Sequence, residues 1–287
     1  MKNSVRAVGT VFAAAILLAG CSPDGEQENT GSAAEGSNAP EGLATAGVLT
    51  ACIDPEYAPL EYYENGSTGE IIGFDADSIR ALATLWGVEA KMEVTAFDGL
   101  MPALQSGRCD ILFSGLYMSE ERLAVADAAP VMNAGPAILA APERAASITA
   151  PEDLCGLTVA AQAASANAAS IAKLSETCVA DGAPKIAVTE YPKTAETVLA
   201  VINGKADALI ETNVAAAYMV TQNSGQLEVA ADIFPPDTTF GVFTRKDDPL
   251  SPAVAEGLKT LHDDGTLEKI AGEYNLAPSL LDVSASS

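Results

Sequence analysis

Basic residues are scarce in this chain of 287 residues, which has 15 Lys and Arg against 39 Asp and Glu and a formal net charge of -24 at pH 7. Nucleic-acid binding needs a basic surface for the phosphates, so this balance argues against nucleic acid as a partner. The acidic residues are spread along the chain rather than gathered in blocks, and their general effect is to keep the protein soluble.

Histidine is almost absent as well. The chain has a single histidine, His262, and its five cysteines contain no Cys-x-x-Cys pair. Because protein metal sites need clustered His, Cys or carboxylate ligands, we expect no metal and no cofactor. His262 falls in a polar helical segment and is predicted to be a solvated surface residue.

Long apolar runs are also missing, apart from one near the start at residues 11–20, which is too short to span a bilayer. Lys2 and Arg6 precede this run, and it ends in Leu18-Ala19-Gly20-Cys21. That arrangement resembles a bacterial lipoprotein signal, which predicts residues 1–20 as the signal peptide and Cys21 as the lipidated first residue. The alternative is an ordinary secretory signal with a chance cysteine.

The segment after the predicted signal has no apolar periodicity. Residues 22–42 are rich in Gly, Ser, Ala, Asn and Glu, so together with Cys21 they are predicted to form a flexible, lipid-anchored tether, 21–42. The remaining residues, 43–287, are enough for two domains of ordinary size.

Four cysteines follow Cys21, and export permits disulfides. Cys155 precedes a predicted strand and Cys178 lies near the end of the following helix, so we predict a bridge between them.

Cys52 and Cys109 are predicted to remain unbridged. If Asp54 and Ser114 both end parallel strands, the two cysteines are offset by about 10 Å along neighbouring strands. A disulfide needs Cα atoms within about 7 Å of each other.

Strand and helix patterns alternate after residue 43. The strand patterns fall at 48–53, 91–95, 110–114, 137–141, 157–161, 186–190, 207–211 and 240–244. The helical patterns fall at 75–86, 98–106, 119–125, 151–154, 166–178, 194–203, 212–223 and 251–273. Asp75 and Asp98 are the predicted helix N-caps, and Gly87, Gly107 and Gly204 the predicted stops. Alternation predicts an α/β fold with parallel sheets. A repeated Leu-x-x-Gly-x-x-Asp-like pattern, ending at Asp110 and Asp207, indicates two similar lobes.

Two predicted strands end in residues that suit ligand binding. The first stops at Asp54, with Tyr57 shortly after it, and the second stops at Ser114-Gly115, with Arg122 seven residues beyond the glycine. Ligands of α/β folds sit beyond the carboxyl ends of parallel strands, so these groups are expected to converge. An aromatic face, small polar groups and a cation suit a small ligand that carries a carboxylate.

The chain resembles the extracellular solute-binding proteins of ABC importers, in the polar amino-acid-binding family 3. The resemblance covers roughly residues 43–276. Its motifs are Asp54-Pro55-x-Tyr57-Ala58-Pro59-x-Glu61, Gly73-Phe74-Asp75, Asp98-Gly99-Leu100-x-Pro102-Ala103-Leu104, Ser106-Gly107-x-x-Asp110, Ser114-Gly115 with Glu121-Arg122, and Asp264-Gly265-Thr266. The family implies a two-lobed periplasmic-binding-protein fold (type II) with parallel or mixed sheets. Lobe one would be 43–134 plus 239–287 and lobe two 135–238, joined by crossings near Ala134-Gly135 and Thr239-Phe240.

The resemblance also implies roles for individual residues. Arg122 would grip the ligand's α-carboxylate, unless it forms a surface salt bridge with Glu120 or Asp127. Tyr57 would stack on the ligand, unless it is a core tyrosine.

Asp54 would meet the ligand's side chain, unless it caps the following turn. Ser114 and Gly115 would offer hydroxyl and backbone groups, and the backbone amides of Ser165 and Ala166, at a helix N-terminus, would receive the carboxylate.

Several positions depart from the family pattern. Ala164 and Ala166 replace a loop glycine and a second hydroxyl, and Tyr117 stands where Ser or Thr is usual. Thr212 stands where the acid that binds the α-ammonium is expected, with Glu211 just before it. Either Glu211 takes over this role, or the ligand lacks a simple primary ammonium. In the second case, Tyr57 and Tyr117 could face a more substituted cation through cation–π attraction.

Three functions are compatible with these residues. The first is a non-catalytic binding protein, anchored by lipid on the extracytoplasmic face of the cell membrane, that acts as a monomer and hands an amino acid or related solute to an ABC permease. The second is an enzyme similar to cyclohexadienyl dehydratase on the same scaffold, with Glu211 or Asp54 as general acid. The third is a sensor input domain. We expect the first, and the solute itself is not predicted.

Overall fold

The computed structural model of the protein describes residues 38–283. The strands are β1 (Val48–Ile53), β2 (Glu56–Tyr57), β3 (Glu61–Tyr63), β4 (Ile71–Ile72), β5 (Glu89–Val94), β6 (Ile111–Leu112), β7 (Ala126–Ala134), β8 (Pro136–Ala140), β9 (Thr158–Gln162), β10 (Ala187–Tyr191), β11 (Ala208–Thr212), β12 (Glu228–Val229) and β13 (Thr238–Arg245). The α-helices are α1 (Phe74–Trp86), α2 (Leu100–Gln105), α3 (Glu120–Val125), α4 (Pro142–Ala145), α5 (Ala166–Ala180), α6 (Thr194–Ile202), α7 (Asn213–Gln222), α8 (Ser251–Asp263) and α9 (Thr266–Glu273). Short 3-10 helices cover Phe97–Gly99, Pro151–Leu154 and Pro278–Leu281. No helix within 38–283 is long and apolar enough to cross a membrane.

The first five-stranded sheet has the order β5-β1-β6-β13-β7. Strand β1 is parallel to β5 and β6, whereas β13 is antiparallel to β6 and β7. Cys52 pairs with Leu112, so β1 and β6 end side by side. The sheet therefore brings Asp54 and Ser114 to one edge, where the Asp54 N–H donates to Ser114 Oγ (3.0 Å).

The second five-stranded sheet has the order β10-β9-β11-β8-β12. Strands β10, β9 and β11 are parallel, and β8 is antiparallel to β11 and β12. Strands β9 and β11 thus place Gln162 and Thr212 at one edge. The chain passes from the first sheet to the second after Ala134 and returns before Thr238, and the exact lobe boundaries stay a prediction.

Apolar residues cover both faces of each sheet. In the first sheet, Leu49, Ile53 and Ile111 pack beneath α1, and Cys52 and Leu112 lie on the other face against α2. Burying apolar surface on both faces requires helices on both sides, which is why strands and helices alternate along the chain. A smaller antiparallel sheet, β2-β3-β4, extends from the end of β1.

The predicted strands are confirmed, each end within two residues of its predicted position. Strand β7 was not predicted, because a segment with Asp127, Pro130 and Asn133 has no clear alternation. The single helix predicted at 251–273 is wrong, since Gly265 takes a left-handed φ of 80° and separates α8 from α9. Asp75 lies in the first turn of α1 rather than at its N-cap, which is Gly73.

The Cys155–Cys178 disulfide is present, as predicted. The expectation that Cys52 and Cys109 are unbridged is wrong, because they form a disulfide with Cα atoms 5.6 Å apart. Cys109 precedes β6 and lies in the turn after α2, so the spacing of a regular strand does not apply to it. The turn carries Cys109 over the sheet face toward Cys52, among the residues packed under α2.

Candidate functional site

A buried cavity lies between the facing edges of the two sheets, and we call it the central cavity. Its lining residues are Tyr57, Phe97, Gly115, Tyr117, Arg122, Gln162, Ser165, Ala166, Asn167, Glu211 and Thr212. Eight of the predicted ligand-binding residues are in this set, whereas Asp54 and Ser114 are outside it. The two sheets therefore bring residues that are far apart in the sequence to one place.

Arg122 supplies the cation of the central cavity. It lies in the first turn of α3, whose N-cap is Ser119, and its Nη1 donates to the Tyr117 carbonyl (3.0 Å). Burial lowers the pKa of the guanidinium, which still remains protonated at any physiological pH. No carboxylate among residues 38–283 lies within ion-pair distance of Arg122, and Asp127 pairs with Lys246 instead. The remaining guanidinium donors are therefore available to a bound anion.

Tyr57 bridges the two sides of the cavity. Its hydroxyl lies 2.8 Å from Glu211 Oε1, to which it donates, and 2.6 Å from Thr212 Oγ1. Its ring lies against Gly115, where an added Cβ would come within 2.8 Å of Tyr57 Cε1. Gly115 is needed here, since its φ of 52° and this close approach both disfavour a side chain.

Glu211 supplies the carboxylate of the central cavity, although it directly precedes the position where the acid was expected. Glu211 is buried, and its Oε1 also accepts from the Thr212 N–H (2.8 Å), so the side chain folds back toward the end of β11. Burial raises the Glu211 pKa, while the bonds from Tyr57 and Thr212 oppose that rise. Thr212, whose Oγ1 accepts from the Ala215 N–H as the N-cap of α7, also lines the cavity.

The N-terminus of α5 closes another side of the cavity. Ser165 is its N-cap, but the Ser165 N–H donates to the Gln162 carbonyl (3.2 Å). The amides of Ala166 and Asn167 belong to the first helical turn, where N–H groups have no acceptor inside the helix. Ala164 adopts the left-handed conformation (φ 61°) that a glycine would adopt without strain.

Ser114 and Gly115 do not direct their predicted donors into the cavity. Ser114 Oγ donates to Glu61 Oε1 (2.6 Å), and the Gly115 N–H donates to Asp75 Oδ2 (2.7 Å). Gly115 nevertheless lines the cavity, while the Ser114 side chain is buried behind it. Both residues contribute the shape of the wall rather than hydrogen bonds.

Asp54 lies in a neighbouring cavity of about 330 Å³, which we call the acidic cavity. Its lining residues are Asp54, Pro55, Glu56, Tyr63, Val94, Ala96, Asp98, Ala163, Pro192 and Lys193. The two cavities adjoin at Phe97, which lines the central cavity between Ala96 and Asp98. Burial and the nearby Glu56 raise the Asp54 pKa to about 6. Lys193 forms an ion pair with Glu56.

Sequence reasoning missed Phe97 and Asn167 as cavity residues and left Gln162 without a role. Phe97 directly precedes the Asp98-Gly99-Leu100 motif, and that position was the signal that could have identified it. Its ring centroid lies 6.0 Å from Arg122 Cζ. The buried Tyr117 hydroxyl lies beside the Asn167 side chain, and both residues line the cavity.

The central cavity is small in this conformation. Its volume is about 20 Å³, roughly the space of one water molecule. An amino acid is larger than this space, and a cavity of about 740 Å³ adjoins it at Phe97, Arg122, Ser165 and Ala166.

Comparison with known proteins places these features in context. A model of the bacterial extracellular solute-binding proteins, family 3, matches residues 49–277. The arginine-binding protein ArgT of Corynebacterium glutamicum is 32% identical to this chain, over 98% of this chain and 94% of ArgT.

The solved structures that are similar to this chain include two ancestral binding proteins. An ancestral arginine-binding protein bound to arginine is 28% identical, with a TM-score of 0.72, over 79% of this chain and 98% of its own. The ancestral amino-acid-binding protein AncCDT-1, a precursor of cyclohexadienyl dehydratase, is 31% identical, with a TM-score of 0.67, over 79% and 95% of the two chains.

Proposed function

The chain belongs to the bacterial extracellular solute-binding proteins of family 3, and from that premise we propose that it captures a free amino acid in the central cavity for delivery to the permease of an ABC importer. The observation that carries the proposal is the half-buried Arg122 guanidinium, which has no carboxylate partner among residues 38–283 and lines a cavity that also contains Glu211. Arg122 binds the α-carboxylate, and Glu211 binds the α-ammonium.

The ligand's side chain in this proposal is cationic and reaches the acidic cavity. Asp54, Glu56 and Asp98 line that cavity, and within the described part of the chain only Glu56 forms an ion pair, with Lys193. A cationic side chain beside Asp54 and Asp98 reduces the repulsion between these carboxylates. The similarity to ArgT and to the arginine-bound ancestral protein supports the same class of ligand.

The proposed function is non-catalytic. A dehydratase needs a proton donor beside its substrate, and Glu211 is the acid of the central cavity. Tyr57 and Thr212 donate hydrogen bonds to Glu211 Oε1 and oppose the rise in pKa that burial causes, so the carboxyl group is placed as an acceptor, which suits a receptor for an ammonium. We expect the protein not to convert a cyclohexadienyl substrate to an aromatic product. Ultraviolet absorbance of the product measures this. Any sustained turnover would favour the enzyme.

The proposed location is the extracytoplasmic face of the cell membrane, with the protein acting as a monomer. Its predicted lipid attachment, at Cys21, lies outside the described residues. Mass spectrometry of the mature N-terminus tests this attachment and should find lipid on Cys21. In a separate cell fractionation, a Cys21→Ser variant should be released from the membrane.

Calorimetry with matched ligands tests the proposed function. L-Arginine and L-citrulline have similar shapes, but citrulline has a neutral urea group in place of the guanidinium. Because the Asp54 pKa is raised to about 6, a cationic ligand favours its ionised form, and arginine affinity should rise as pH increases from 5 to 7. Citrulline should bind at least tenfold more weakly at pH 7 and show a smaller rise with pH, because only the Glu211 contribution is common to both ligands. Equal affinities, or no binding of any amino acid, would contradict the proposal.

A further inference from the structure

A pair of buried carboxyl groups lies behind the wall of the central cavity. Glu61, on β3, is 1% exposed, and Asp75, in the first turn of α1, is 2% exposed. Neither side chain lines the central cavity, so ligand binding as described above does not use them directly. Buried acids without a cation are costly to a fold, which makes their position informative.

The pair holds the residues that shape the cavity. Glu61 accepts from Ser114 Oγ (2.6 Å), and Asp75 accepts from the Gly115 N–H (2.7 Å). Ser114 Oγ in turn accepts from the Asp54 N–H (3.0 Å). Through these bonds the two carboxyl groups fix the adjacent ends of β1 and β6. They also fix Gly115, against which the Tyr57 ring lies.

A close backbone approach keeps the two acids together. Gly73 has a φ of 121°, and a Cβ added there would lie 2.2 Å from the Leu60 carbonyl oxygen. Only glycine fits at this point. The Asp75 N–H donates to the same Leu60 carbonyl (2.8 Å), so β3 and the start of α1 are tied side by side.

The surroundings of the pair are acidic. Burial and then the neighbouring Asp75 raise the Glu61 pKa well above its usual range, and burial raises the Asp75 pKa to about 7. Asp54, at the end of β1, adds further negative charge, and Tyr57 is the titratable group from β2 that lies against Gly115. Among residues 38–283, no Lys, Arg or His offsets these charges at the pair.

One oxygen of the pair has no hydrogen-bond partner among the described residues, namely the buried Glu61 Oε2. Two neighbouring carboxyl groups in an apolar interior cannot both ionise without strong repulsion. A proton on Glu61 Oε2 removes one charge and turns the unpartnered atom into a donor beside Asp75.

We propose that Glu61 and Asp75 retain one proton between them at neutral pH and act as positioning residues for Asp54, Ser114 and Gly115, so that loss of this proton weakens ligand binding. The ligand readout rests on the proposed function, whereas the protonation of the pair does not.

The sign of the pH effect follows from the raised pKa values. A carboxyl group whose pKa is higher in the folded protein stabilises the fold at low pH, and this contribution is lost as pH rises through the folded pKa. Because the pair positions the ends of β1 and β6 beside the central cavity, its ionisation at alkaline pH should also lower the affinity for the ligand. In Glu61→Gln the amide cannot ionise, its oxygen can still accept from Ser114 Oγ, and its N–H₂ can donate toward Asp75.

The test measures the dissociation constant of L-arginine for the wild type, Glu61→Gln and Asp77→Asn between pH 6.5 and 9.5. Asp77 is the matched control, because it lies on the same helix but pairs with Arg80 and Tyr274. We expect the wild-type and Glu61→Gln constants to agree within threefold at pH 6.5. At pH 9.5 the wild-type dissociation constant should be at least tenfold larger than that of Glu61→Gln. The dissociation constant of Asp77→Asn should change with pH as that of the wild type does.

Comparing variants at each pH cancels titration of the ligand's amino group and of the other site residues. Carbon-13 NMR of the wild-type carboxyl groups provides a second measurement, in which Glu61 or Asp75 should still be protonated at pH 7. The inference would be overturned if the ratio of the wild-type and Glu61→Gln dissociation constants stayed constant across the pH range. Full ionisation of both Glu61 and Asp75 at pH 7 would also overturn it. If no amino acid binds the wild type at any pH, the proposed function fails, and the NMR titration alone decides the state of the pair.

Discussion

Arg122 and Glu211 are side chains of opposite charge that line the same cavity from different halves of the chain. Arg122 comes from α3, beside the first sheet, and Glu211 from β11 of the second sheet. Glu211 is buried and Arg122 is half-buried, and both side chains line the central cavity. Because an amino acid carries one negative and one positive group on neighbouring atoms, this pair matches its zwitterionic end.

Replacing Glu211 by glutamine should weaken amino-acid binding at least tenfold, about 1.4 kcal/mol. The substitution preserves size but removes the charge that offsets a desolvated ammonium, and an unpaired buried charge is costly. Calorimetry measures the effect, with the exposed Glu190→Gln on β10 as a control that should bind like the wild type. Tight binding of an ordinary amino acid that survives Glu211→Gln unchanged would refute the role of Glu211.

At the scale of elements, the sequence was most informative where periodicity and punctuation agree. Alternation of strands and helices predicted both sheets, and Gly87, with a φ of 66°, ends α1 as expected. The sequence was least informative where three-dimensional pairing overrides local pattern. Strand β7 contains Pro130 and is held by its long ladder with β13, which no local signal indicates.

The site was predictable in part, for the same reason. Arg122 and Tyr57 follow strand ends, and strand ends converge, so their meeting could be foreseen. The commitment of Ser114 to Glu61 could not, because it depends on how closely β3 approaches β6. Glu211 was in doubt because side chains alternate along a strand, and its return toward Thr212 at the strand end becomes visible only in three dimensions.

The Cys52–Cys109 disulfide links β1 to the turn that leads into β6. It spans 57 residues, compared with 23 for Cys155–Cys178, so chain entropy assigns it the larger stabilisation, about 4 against about 3 kcal/mol. We expect the Cys52→Ser/Cys109→Ser variant to lose more unfolding free energy in urea than Cys155→Ser/Cys178→Ser. Peptide mapping without reduction checks the pairing, and free thiols at 52 and 109 would refute it.

At the scale of the whole molecule, contacts between the two sides of the central cavity define the present conformation. Tyr57 bonds to Glu211 and Thr212, and Glu56 pairs with Lys193. These bonds run from β2 to the end of β11 and to the N-cap of α6, and the central cavity beside them is smaller than an amino acid. On the proposed function, we expect the two sides to separate when the ligand enters and the bound ammonium to replace the Tyr57–Glu211 contact.

Calorimetric titration of L-arginine into the wild type and Arg122→Ala tests the central claim most directly, namely that this cation holds the ligand's carboxylate inside the cavity. Loss of a buried charge-assisted contact should cost about 2–5 kcal/mol, a loss of affinity of at least about 30-fold. Arg144→Ala, which removes an exposed arginine paired with Asp207, should leave the affinity unchanged. If Arg122→Ala binds arginine as tightly as the wild type does, the central cavity is not the amino-acid site.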